Sequence, residues 1–208
     1  MKATANSQDF QDVALTRQSD DGAFTRLVER YQNPVYNLSC RMLEDPDLAE
    51  DAAQESFLRA YRNLGRFDIR RSFASWLLSI AAHYCIDLLR RRKYHLVSID
   101  QASLDADHEI ELVDTHAAKP EDELIHAEAC QDVQQVLGKL KATDRAAIVL
   151  RYWYEFSEAE IAESLGISVP AVKGRLFRAR REIANSLTRK PEQHIPVASL
   201  SLTQACGI

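Results

Sequence analysis

Phe24, Leu27, Val28 and Tyr31 recur at i, i+3, i+4 and i+7, the spacing of one helix face, and Asp20 or Asp21 is available as N-cap. Asn33-Pro34 then predicts an interruption and a second helix with Val35, Leu38 and Met42 inward. Asp45-Pro46 is a cap followed by a first-turn proline, and opens a helix expected to reach about Leu64. Its apolar stripe is Ala49, Ala53, Phe57, Ala60/Tyr61 and Leu64. Rotated away from it lie Asp51, Gln54, Glu55 and Leu58, again at helical spacing. Residues 65–71 read as a basic loop with one aromatic, Phe67. Ser72 caps a long helix with Phe73, Trp76/Leu77, Ile80, Tyr84 and Leu88 inward. Ser75, Ser79, His83, Asp87 and Arg91 follow its other face at four-residue steps, and Trp76 falls on the apolar side as a core residue.

Helical periodicity then fades. The stretch 95–122 is acidic, ends near Pro120 and is too long for a loop inside one compact domain, so it reads as a linker. A second domain, 123–187, opens with Leu124, Ala127, Val133, Val136, Leu137 and Leu140 on one face. Thr143 or Asp144 is the expected cap of its next helix, with Ile148, Val149, Leu150 and Tyr152 on the core side. Ser157 and Glu160 form a capping box before Ile161, Ala162 and Leu165. The chain turns at Gly166-Ile167-Ser168 and restarts with Pro170 in the first turn, carrying Val172, Leu176 and Ile183 inward. A short helix, a glycine turn and a basic helix make a helix-turn-helix, whose second helix suits the DNA major groove. Residues 1–19 read as an N-terminal arm and 188–208 as a tail.

Composition agrees with an all-α chain of two small helical domains joined by an acidic flexible linker. Only 6 Gly and 6 Pro punctuate 208 residues, too few for a hairpin-rich β fold. Nothing approaches a membrane span or a secretory signal, which predicts a cytoplasmic protein without membrane insertion. Cysteines at 40, 85, 130 and 206 match neither a metal site nor a disulfide framework; no metal and no cofactor is expected. The net charge of −5 conceals segregation. Residues 44–55 carry −6, 59–93 carry +7, 100–123 carry −8 and 168–181 carry +5. Two basic blocks on two domains point to two anionic contact surfaces.

The segment Asp51-Ala-Ala-Gln-Glu-Ser-Phe-Leu-Arg-Ala-Tyr61 resembles conserved region 2.2 of bacterial sigma factors. Phe73-Ala-Ser-Trp-Leu-Leu-Ser-Ile-Ala81, continuing to Ile86-Asp-Leu-Leu-Arg-Arg-Arg92, is similar to their regions 2.3 and 2.4, and the stretch from Ile161 to Arg180 is similar to region 4.2. The order and size resemble the extracytoplasmic-function (ECF) group of the sigma-70 family. That resemblance implies a region 2-like bundle and a region 4-like helix-turn-helix. It also implies binding to core RNA polymerase, through the clamp helices of the largest subunit and the flap of the second. Promoter recognition, help in opening the DNA and control by an anti-sigma factor are implied as well.

On the residues that match, Asp51, Gln54, Glu55 and Leu58 would face polymerase. Arg62, Asn63, Phe67, Arg70, Arg71, Ser75, His83, Asp87 and Arg91 would meet the −10 element. Ser168, Ala171, Lys173, Gly174, Arg175, Phe177, Arg178, Arg180 and Arg181 would meet the −35 element. Lys173 or Arg175 suits a guanine edge, Ser168, Ala171 and Gly174 are small enough for close backbone approach, and Arg180 and Arg181 suit phosphates. The acidic linker would lie in polymerase channels, or serve as a plain tether. A stand-alone helix-turn-helix regulator would explain the second domain equally well but neither the loop 65–73 nor the acidic face at Asp51. An enzyme is disfavoured: GxGxxG, GxxxxGK, HExxH and GxSxG are all missing, and His83 with Asp87 has no nucleophile beside it.

Overall fold

The structure, a computed structural model, describes residues 7–100 and 133–188; for 93–100 and 187–188 it describes the backbone only. The first domain consists of α1 (Ser7–Thr16), α2 (Asp21–Leu43), α3 (Pro46–Asn63), a 3₁₀ turn (Leu64–Arg66) and α4 (Phe73–Asp100). The second contains a helical stretch at 133–138, α5 (Ala142–Tyr152), α6 (Glu158–Leu165) and α7 (Val169–Thr188). Among the described residues there is no strand, and no helix is long and apolar enough to cross a membrane. The expected linker falls mostly in 101–132 and the expected tail in 189–208, both outside the described residues, as is the start of the expected helix at Leu124 and Ala127. The backbone of α4 runs as helix to Asp100, past the expected linker start at 95.

The local signals in the first domain act as their chemistry dictates. Asp20 caps α2 by accepting from the Ala23 amide, and Asp45 caps α3 by accepting from Asp47 and Leu48. Ser72 does the same for the Ser75 amide ahead of α4. The expected interruption at Asn33-Pro34 does not occur; α2 continues through Pro34. An interior proline costs about 3 kcal/mol, because the carbonyl four residues back loses its donor. Against that, Leu27, Tyr31, Val35, Leu38 and Met42 form one unbroken buried face across position 34. At about 1.5–3 kcal/mol per buried large side chain, keeping that face whole outweighs the proline.

At the centre of the bundle Cys85 is fully buried, its Sγ 3.8 Å from the Ser39 hydroxyl, and burial pushes its thiol up to about 12. Iodoacetamide at pH 8 should therefore leave the Cys85 peptide unlabelled in the native protein and label it in guanidinium, as read by peptide mass mapping. Native labelling at that site would contradict this packing.

Within the expected N-terminal arm, residues Ser7–Thr16 form α1, which packs on the bundle. Asp9, Asp12, Val13 and Thr16 are buried at i, i+3, i+4 and i+7 on α1. That is helical spacing, but two of the four inward positions are carboxylates, so hydropathy does not register it. Asp9 accepts from Arg30 and from the Tyr31 hydroxyl, both at 2.5 Å; Asp12 accepts from Arg26 at 2.9 Å and Arg30 at 3.2 Å. Burial, then the Asp9 carboxylate, raises the Tyr31 phenol well above its ordinary range. Buried carboxylates are tolerated only when paired and hydrogen-bonded in this way.

In the second domain the Ser157–Glu160 capping box is complete, at 3.2 and 2.7 Å, and Gly166 ends α6 at φ +63°, which favours glycine. The start of α5 differs from expectation. Lys141 occupies the N-cap without a side-chain bond, and neither Thr143 nor Asp144 caps. Asp144 is instead buried and takes an ion pair from Arg175 at 2.7 Å. Almost every side of α5 is covered, Asp144 through Leu150 being buried, because α5 packs both on the helix-turn-helix and on the first domain.

That second contact is built on carbonyls along α2, of which that of Met42, in the last turn, has no helical amide donor. Arg145 donates to the Met42 carbonyl at 2.5 Å and to the Glu44 carboxylate at 2.7 Å, while its other terminal nitrogen holds the Gly138 carbonyl. Gln134 donates to the Cys40 carbonyl, Tyr154 donates to the Pro34 carbonyl, and the Arg41 guanidinium lies 5.1 Å from the Trp153 ring centre. A side chain at Gly138 would place its Cβ 2.6 Å from the Glu44 carboxylate, so glycine permits this approach.

Candidate nucleic-acid interface

Three surfaces hold the residues singled out from the sequence. On α3, Asp51 and Gln54 are exposed, Leu58 is 50 % exposed, and half-buried Glu55 pairs with Arg59 at 2.8 Å. Ser56 and Phe57 are buried behind them and fix the rotation of the helix. The outcome is an acidic, polar stripe that ends in a large exposed leucine, a surface suited to a basic, partly apolar partner.

The second surface is a cleft of about 480 Å³ between the end of α3, the following loop and α4. Arg59, Asn63, Arg66, Arg71, Trp76 and His83 line it, together with Glu163 from α6. Of the residues expected at the −10 element, Arg62, Asn63, Arg70, His83, Asp87 and Arg91 are exposed. Arg71 pairs with Glu163 across the two domains at 2.8 Å. Arg70 forks onto Asp68 in the loop, and these hydrogen bonds hold the Asp68 carboxyl down at about 2. The hydroxyl of Ser75 is buried without a hydrogen-bond partner. His83 Nδ1 donates to the Ser79 carbonyl at 2.9 Å, which leaves Nε2 as its other polar edge.

Phe67 is a correction: it is only 4 % exposed, its ring 5.7 Å from Phe73 and 4.8 Å from Trp76. In this arrangement it has no open face on which a base could stack, because the loop turns it inward to complete the aromatic core. Trp76, read from the sequence as core, is half-buried: it packs on Phe67 and Phe73 and also borders the cleft. Arg59 and Arg66 were missed. Arg59 stands one helical turn before Asn63 and 4.4 Å from the Tyr84 ring centre, a placement the helical pattern alone could have revealed. Arg66 lies in the 3₁₀ turn and was legible only as part of a basic loop.

The third surface is the outward side of α7 and the turn before it. Ser168, Ala171, Lys173, Phe177, Arg178, Arg180 and Arg181 are exposed, Phe177 by 66 %, while Val172, Leu176 and Ala179 are buried beneath. Gly174 and Arg175 are half-buried. Arg175 is drawn onto Asp144 of α5, with Arg178 3.8 Å from the same carboxylate, and Lys173 lies 3.6 Å from Glu158. The freest cations of α7 therefore lie toward its later turns.

The Sigma-70 region 2 model matches residues 27–94 and the Sigma-70, region 4 model matches residues 130–183, one on each helical domain. The ECF RNA polymerase sigma factor SigW of Bacillus subtilis is 37% identical over 84% of this chain and 94% of its own length. The chain belongs to the ECF group of the sigma-70 family. As a sigma factor it is a transcription-initiation protein of a family that binds RNA polymerase and promoters, and not an enzyme. Among solved structures, CnrH in complex with the cytosolic domain of CnrY is similar at a TM-score of 0.63 and 26% identity, over 88% of this chain and 99% of that one. The sigma factor RpoE in complex with the anti-sigma factor NepR, from Bartonella quintana, shares the fold at a TM-score of 0.59 and 20% identity, over 80% of this chain and 98% of that one.

Proposed function

We propose that this sigma factor docks on core RNA polymerase through the Asp51–Leu58 stripe, reads and helps melt the −10 element in the α3–α4 cleft, and reads the −35 element with α7. The observation that carries this reading is the cleft, which gathers Arg59, Arg66 and Arg71 around the Trp76 indole and the His83 ring. Guanidinium groups suit the phosphates of a displaced strand. An aromatic edge suits an unstacked base, at about 1–3 kcal/mol per base stacked. DNA entering the cleft takes the place of Glu163 at Arg71. Phe177, Arg178, Arg180 and Arg181 supply a groove contact with phosphate clamps beside it. The net charge of −5 fits a protein that holds DNA in company with polymerase. RpoE, which shares this fold, is bound to the anti-sigma factor NepR in its structure, and an anti-sigma factor is proposed here as a further partner.

The test is co-purification with core polymerase followed by run-off transcription. Asp51→Lys with Leu58→Glu should weaken core binding by tenfold or more, about 1.4 kcal/mol or above, with the helix intact by circular dichroism. Phe177→Ala with Arg178→Ala should leave core binding in place and lose transcription. An unaltered core complex in the first variant sinks the docking surface. A duplex shifted by the protein alone, with no core binding, would favour the stand-alone regulator.

A further inference from the structure

Arg17 lies before the region 2 match, which begins at residue 27, and outside every surface described so far. It sits just past the C-terminus of α1, where Ser19 takes a left-handed φ of 71° and the Asp20 amide bonds back to Leu15. From there its guanidinium reaches across the bundle. Nε and Nη2 donate to the Leu64 carbonyl at 3.1 and 2.9 Å, and Nη2 also meets the Phe67 carbonyl at 2.5 Å. The two carbonyls bracket Arg66, whose side chain borders the cleft. Phe67, held by its own carbonyl, packs its ring on Trp76, which borders the same cleft.

The anchor is rigid at its other end too. Asp9 and Asp12 bind α1 to Arg26, Arg30 and Tyr31 of α2, so the base of Arg17 is fixed relative to the bundle. The Leu64 carbonyl already takes the Phe67 amide of the 3₁₀ turn at 3.2 Å, and a charged fork that holds the Leu64 and Phe67 carbonyls together further restricts this backbone. Because a base is read to within fractions of an ångström, the backbone at 64–67 sets where Arg66 and Trp76 stand when a base arrives.

We propose that Arg17 is a positioning residue for −10 recognition: by clamping the Leu64 and Phe67 carbonyls it sets the geometry of Arg66 and Trp76 in the cleft. This rests on the promoter reading above. The experiment reconstitutes holoenzyme from full-length chain and core polymerase. It measures open-complex formation, by permanganate reactivity, on a cognate promoter and on versions with each −10 base substituted.

Arg17→Ala should reduce opening of the cognate promoter by about tenfold, the scale of one lost charge-assisted hydrogen bond. Substituted promoters should fall less, so that the ratio between cognate and substituted promoters shrinks, while core affinity is unchanged. Arg17→Lys, able to hold one carbonyl, should recover part of that ratio. A ratio equal to wild type, even with a lower melting temperature, overturns the proposal, since a purely structural residue would weaken all promoters alike. Should Arg17→Ala fail to fold, the ratio for Arg17→Lys decides on the same criterion. If wild-type holoenzyme opens no promoter, the promoter reading itself fails, and this inference with it.

Discussion

Phe73→Ala is expected to destabilise the first domain by about 3–5 kcal/mol, the usual cost of emptying a buried phenyl site. Phe73 is 1 % exposed and opens α4, so it has both the bundle and the loop around it. Its ring lies 5.6 Å from Tyr31, 5.7 Å from Phe67 and 5.7 Å from Trp76, and three aromatic neighbours cannot all move in to fill the space. Urea unfolding followed by tryptophan fluorescence gives the measurement: the midpoint should fall with the slope unchanged. A loss below about 1 kcal/mol would mean that the aromatic cluster is not the packed core described here.

Arg145→Ala is expected to undock the two domains. The Arg145 side chain is 5 % exposed, and burial lowers its pKa despite the Glu44 carboxylate beside it. Removing it leaves the Met42 carbonyl and one side of Glu44 without their donor, at about 1–3 kcal/mol for the unsatisfied buried group. The domains also share the Arg41–Trp153 contact and the exposed Arg71–Glu163 ion pair, but Arg145 is the charge buried between them, so its loss is expected to weaken the docking most. Small-angle scattering should show a larger radius of gyration, and calorimetry should resolve one unfolding transition into two. Gly138→Ala is a gentler version, pressing a methyl against the Glu44 carboxylate, and should shift both readouts in the same direction. If neither variant changes the radius, the docking does not depend on this arginine.

Much of the fold was legible because its signals are local. Asp45-Pro46, Ser72, the Ser157–Glu160 box and Gly166 each satisfy or release backbone groups within four residues, and each acts where its chemistry says it should. What could not be read locally depends on partners distant in sequence. Asp9 and Asp12 look like solvent-facing acids until Arg26, Arg30 and Tyr31 are folded against them. Asp144 has the sequence of a cap but the environment of an ion-pair partner for Arg175, 31 residues on. Pro34 reads as a break, and only the continuous buried face of α2 overrides it. Among the candidate site residues on helices, Asp51, Gln54, Leu58, His83, Asp87 and Arg178 are exposed, opposite the apolar stripe, whereas the Ser75 hydroxyl is buried and Arg175 is drawn onto Asp144. The loop was harder: whether Phe67 points out or in is decided by Phe73 and Trp76, and no periodicity carries that information.

The two domains that meet through Arg145, Gln134 and Tyr154 are parts of one chain, joined through residues 101–132. A covalent tether presents each domain to the other at an effective concentration on the order of millimolar. The same interface is therefore populated more fully within one molecule than it would be between two separate polypeptides at micromolar concentration. Cutting the chain between the domains should release them from each other without unfolding either. A partner competing for one of these faces has only that local concentration to overcome, and the contact exchanges by dissociation rather than by denaturation.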